Sequence, residues 1–86
     1  MTKRDDGIQS GFNQQEQAEM AVKAAQKMVG SATMSMEPRA LQAATEAIMQ
    51  AQQQLHSLTA EQYKGFVSQQ QVFLNRCQEQ LNEAQH

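Results

Sequence analysis

Leu41, Ala44, Ile48, Ala51, Leu55 and Leu58 follow one another at spacings of 3, 4, 3, 4 and 3. That alternation holds the apolar side chains on one face of a helix, in a seam that needs another helix against it. Pro38 lacks an N–H and suits a first helical turn, with Ser35 as the expected cap, so the pattern predicts a helix over about 37–57. Upstream, Ala18, Ala21, Val22, Ala25, Met28 and Val29 form an alanine-rich stripe that predicts a helix over about 14–29. Asn13 with Glu16 has the form of a capping box at its start, and Gly30 stands where a helix commonly stops. Downstream, Thr59 and Gln62 repeat the capping-box spacing directly after Leu58. A third helix over about 60–84 then turns Tyr63, Phe66, Val67, Gln70, Phe73, Leu74, Cys77 and Leu81 inward, its aromatics supplying the bulk that the first helix lacks.

Only two to four residues are left to join the second and third helices, which makes them antiparallel neighbours. The expected fold is all-α, a three-helix up-down-up bundle. Residues 13–86 form a single helical domain behind a mobile N-terminal tail, 1–12. The seam of the second helix is expected to face the third, with the first laid against the pair. Met34 and Met36, in the first connection, are expected to close the open end of the bundle. Gly65 costs about 1 kcal/mol relative to alanine inside a helix, and reads as close packing against another helix or as a local bend.

Composition adds limits. The chain has 86 residues, enough for one domain with a small core. Ordering so short a chain around few large apolar side chains leaves little net stability, which gives added burial in a homodimer a physical motive. Seventeen glutamines and twelve alanines both favour helix. A net charge of −2 with seven scattered basic residues lacks the electrostatic footprint of a strong DNA or anionic-membrane binder. No segment approaches the roughly 18 apolar residues of a membrane span, and the start MTKRDDGIQSG has no apolar core of a secretory signal, so a cytoplasmic protein is expected. The single cysteine, Cys77, cannot form an internal disulfide and reads as a small buried hydrophobe.

Candidate chemistry is sparse. A di-metal carboxylate site in a helical bundle needs Glu-x-x-His pairs on inward faces, and only Glu83-x-x-His86 has that spacing. His56 sits among glutamines, far in sequence from Cys77, so no nucleophile–base pair is suggested. No glycine-rich phosphate loop is present. No catalytic residue, metal or cofactor is expected, and the chain is read as non-enzymatic. Three positions stand out as candidate interaction residues. Gln70 falls in the centre of the third helix's apolar arc, where a polar side chain must find hydrogen bonds or can specify register. Met20 and Met49 fall away from their helices' apolar centres, among Glu16, Lys27 and Glu46, as soft contact residues do on adaptable binding surfaces. Glutamine-rich faces, including Gln52, Gln53, Gln71 and Gln78, can bond other helices without charge steering.

The stretch EMAVKAAQKMVGSATMSMEPRALQAATEAI, residues 19–48, resembles the core of a family of very small uncharacterised proteins of Bacillus-type endospore-forming bacteria. AVKAAQKMVG, then ATMSM and an acidic-Pro helix start, carry the resemblance. It implies a bacterial cytoplasmic origin and a sporulation setting, and brings no activity or binding residues. Together these readings point to a small interaction or structural module that binds an unknown protein partner or a second copy, with no membrane. The alternative is weak nucleic-acid association. Lys3, Arg4, Lys23 and Lys27 would carry it, but they are interleaved with Asp5, Asp6, Glu16 and Glu19 and make a poor phosphate-binding set.

Overall fold

The computed structural model describes residues 10–85. Three helices make it up: α1 (Ser10–Ser35), α2 (Pro38–His56) and α3 (Lys64–Gln85), the last entered through a 3₁₀ turn at Glu61–Tyr63. All three pair with one another. Thr33 near the end of α1 and Gln80, Glu83 and Ala84 near the end of α3 border one depression, so those two helices run the same way. The bundle is therefore up-down-up, as the periodicity indicates.

The seam is buried as its spacing requires: Leu41, Ala44, Ile48, Ala51, Leu55 and Leu58 all lie in the core. α1 contributes Ala18, Val22, Ala25, Val29 and Ala32, and α3 contributes Gln70, Leu74, Cys77 and Leu81. Each set repeats at alternating steps of four and three, so one heptad-like geometry runs through the whole bundle. The largest fully buried side chains are Leu55, Leu74, Val22 and Val29. Tyr63, Phe66 and Phe73 are only partly buried around that centre, so leucine rather than the aromatics fills it.

α1 is longer than its local signals suggest. Ser10, Gly11 and Phe12 are helical rather than tail, and Asn13 lies inside the helix instead of capping it. The remainder of the expected tail, residues 1–9, lies outside the described residues. Gly30 does not stop the helix, because continuing through it carries Ala32 into the core one heptad after Ala25. Burial of that face outweighs the roughly 1 kcal/mol propensity cost of a mid-helix glycine. The actual stop is Met36, which adopts a left-handed φ of 60°. Its N–H donates to the Ala32 carbonyl at 2.7 Å, the single-bond form of a helix C-terminal αL motif. Glu37 is then extended, as a residue before proline must be, and Pro38 starts α2. The Ser35 hydroxyl accepts from the Glu37 N–H at 3.3 Å, so its capping role is to the turn rather than to the first helical turn.

Further expectations are corrected by the packing. The closest partner of α2 is α1, not α3. The reason is side-chain size: Ala18, Ala25 and Ala32 meet a helix whose own seam carries Ala44 and Ala51, and small contacts let helix backbones approach. Met28 is exposed, not inward. Met34 and Met36 do not close the bundle, since both project into solvent. Thr59 makes no side-chain cap: Ala60 occupies the cap position, and the Tyr63 N–H reaches the Ala60 carbonyl at 3.0 Å. Gly65 has nothing near where a Cβ would sit, so close packing does not explain it.

Candidate interaction surface

The α2–α3 interface is latched by amides. Gln52 Nε2 donates to Gln71 Oε1 at 2.7 Å, and Gln71 Nε2 donates back to Gln52 Oε1 at 3.1 Å. The second hydrogen of Gln71 Nε2 reaches Asn75 Oδ1, one turn along, at 3.2 Å. The pair works because each side chain stands one position beside its helix's seam, next to Ala51 and Gln70, where two helices bring their flanks together. Partial burial strengthens such bonds relative to their value in open water.

Gln70 is 7% exposed and is the buried polar residue of the core. No enclosed side-chain nitrogen or oxygen among the described residues lacks a partner. Its amide makes no side-chain bond to another described residue. The sequence marks Gln70, yet the cross-helix bonds belong to its neighbour Gln71. The two lie about 100° apart on the helix, and only the relative rotation of α2 and α3 decides which one finds an amide opposite.

Exposed apolar side chains define the other surface. Met20 is 67% exposed, Met49 57%, Met28 38%, Met34 85% and Met36 49%. These are all the methionines among the described residues, and they lie on α1, α2 and the turn between them. Met20 and Met49 thus stand outward as their spacing indicates, on different helices and not in a single cluster. Met28, expected inward, and Met34 and Met36, expected to close the open end of the bundle, are exposed instead.

A groove open to solvent runs between α1 and α2, lined by Lys27, Met28 and Ser31 on one side and Ala40 and Ala43 on the other. A second shallow depression along α1 is bordered by Met20, Lys23, Ala24, Gln26 and Lys27. Met49 borders a third with Glu46, Gln50 and Gln53. Ion pairing on these faces is slight: Lys23 Nζ stands 3.9 Å from Glu19 Oε2, with both groups in solvent.

Comparison with known families covers nearly the whole bundle. The family described as protein of unknown function (DUF2564) matches residues 11–86. The chain belongs to that family. No curated protein and no solved structure matches it. The matched region contains all three helices from Gly11 onward, so the Gln52–Gln71 latch and the methionine surface both lie inside the DUF2564 domain.

Within that domain, Cys77 is a free, buried thiol, and burial pushes its pKa above the ordinary value because the thiolate would be desolvated. A raised pKa lowers the thiolate fraction and hence nucleophilicity at neutral pH. No three His, Cys, Asp or Glu residues among the described residues come together in a metal-binding group. His86, the second half of the Glu83-x-x-His86 spacing, lies outside the described residues. No helix among the described residues is long and apolar enough to cross a membrane.

Proposed function

We propose that this chain is a small non-enzymatic helical interaction module, presenting its outward methionines to a protein partner or to a second copy. One observation carries the reading. Alanine and valine are sent to the centre of α1 while every described methionine of α1, α2 and their turn is left in solvent. Methionine is flexible and polarizable, and adapts to varied apolar partners, so it recurs on binding surfaces rather than on inert ones. Resemblance of AVKAAQKMVG and ATMSM to proteins of endospore-forming bacteria supports a cytoplasmic, sporulation- or stress-related setting. The non-enzymatic part of the proposal rests on the chemistry at hand: burial keeps the Cys77 thiol protonated, so it is not an activated nucleophile.

The test compares wild type with the double variant Met20→Glu, Met49→Glu in affinity capture from the native cells and in sedimentation equilibrium. Both side chains are exposed, so circular dichroism and the thermal melt should be unchanged. The expected result is loss of the captured partner, or of the dimer, in the variant alone. Identical bound proteins and identical mass for the two chains would remove the proposal.

A further inference from the structure

The groove between α1 and α2 has a specific chemistry. Its lining is Met28, Ser31, Ala40 and Ala43, with Lys27 on the rim, and no described residue of α3 takes part. Lys27 also borders the depression beside Met20 and Ala24, so the apolar track continues along α1. Arg39, one turn before Ala43, and Lys23, one turn before Lys27, extend the cationic rim on α2 and α1. Lys27 and Arg39 make no ion pair with any described residue, and Lys23 has only the solvated 3.9 Å contact with Glu19. Two acids flank this side of α2: Glu37, two residues before Arg39, and Glu46, one turn beyond Ala43.

We propose that this groove receives an acidic amphipathic helix of another protein, its apolar stripe on the methionine–alanine floor and its carboxylates against Lys27, Arg39 and Lys23. The inference rests on the interaction-module reading above and names the occupant. Length fits: from Met20 to Ser31 α1 rises about 16 Å, which takes about three turns of a partner helix with anchors at i, i+3/4 and i+7. Depth fits as well, because the alanine floor lets a third backbone come close while Met20 and Met28 adjust around its side chains. Charge decides between occupants. A second copy packed on this face about a two-fold axis near Lys27 would set Lys27 against its own counterpart, an unfavourable like-charge match. An acidic helix meets the same rim with complementary sign, which favours both encounter and register.

The test uses the full chain and three synthetic helical peptides that share one leucine stripe and differ only in flanking residues, all Glu, all Gln or all Lys. Fluorescence anisotropy gives affinity and amide NMR gives location. The Glu peptide should bind about fivefold or more tighter than the Lys peptide, from two or three solvent-edge charge pairs. Its shifts should be confined to residues 20–31 and 39–47, and raising salt should erase the difference. The variant Lys27→Glu, Arg39→Glu changes only exposed side chains and should reverse the order of the peptides. Equal binding of the three, no binding, shifts centred on α3, or a dimer that occupies the groove would each overturn the proposal. If Met20→Glu, Met49→Glu still strips the native partner in those cases, the interaction reading survives and only its occupant is wrong.

Discussion

Gln52 and Gln71 exchange both halves of their amides across the α2–α3 interface, at 2.7 and 3.1 Å. Two such bonds fix the rotation of α3 against α2 in a way that leucine packing alone does not, because an amide pair is satisfied in one geometry. Gln52→Ala and Gln71→Ala should each destabilise the bundle by about 0.5–1.5 kcal/mol. The double variant should lose less than their sum, with a coupling of about 0.5–1 kcal/mol in a urea-denaturation cycle. Additive losses would mean that the amides do not act as a pair.

Close approach of α1 and α2 depends on side chains that end at Cβ. Ala25 and Ala44 are fully enclosed, so a leucine at either position has no space to enter. Ala25→Leu or Ala44→Leu should cost at least about 1–3 kcal/mol, read as a lowered urea midpoint. The opposite holds at Gly30 and Gly65, where an added Cβ meets nothing within 4 Å. Gly30→Ala and Gly65→Ala should each stabilise by about 0.5–1 kcal/mol, since helix propensity gains without any clash.

Met36 holds a left-handed φ of 60° without the freedom of glycine, while its side chain stays in solvent. Met36→Gly removes that steric cost and should stabilise the fold by about 1 kcal/mol, raising Tm by about 4–8 °C. A lowered Tm would show that the methionine side chain supports the turn.

Burial of Cys77 gives a pH dependence whose direction follows from its raised pKa. The folded thiol holds its proton to higher pH than the unfolded one, so stability is intact below the ordinary value of 9.0 and declines as pH rises above it. The difference in unfolding free energy between wild type and Cys77→Val should therefore shift against the wild type above that pH and stay constant below it. At neutral pH the thiol should react with an alkylating reagent only as fast as the bundle opens.

Much of this fold is legible in residue order. The seam from Leu41 to Leu58 and the stripe Ala18, Val22, Ala25, Val29 lie where their periodicity puts them, because burial of a face is a long-range, redundant signal. Single-residue punctuation is weaker. Gly30 and Thr59 carry stop and start chemistry that goes unused here. A buried Ala32 extends one helix past the first, and a 3₁₀ turn replaces the cap at the second. Pro38 keeps its role because a missing N–H cannot be overridden by packing. The Gln52–Gln71 latch is hidden in sequence for a different reason: seventeen chemically identical amides leave the choice of partners to helix rotation. The outward set of methionines is half visible. Met20 and Met49 sit outside their stripes, Met28 falls at the edge of its stripe, and Met34 and Met36 depend on where α1 ends.

The interaction surface is tested most directly by photocrosslinking in the native cells, with a photoreactive residue at Met20, Met28 or Met49 and, as controls, at Gln69 or Gln78 on exposed α3. Discrete protein adducts from the methionine positions, absent from the controls, are expected. Equal yields from both sets, or none from the methionine positions, would contradict the reading of this bundle as a module that binds through α1 and α2.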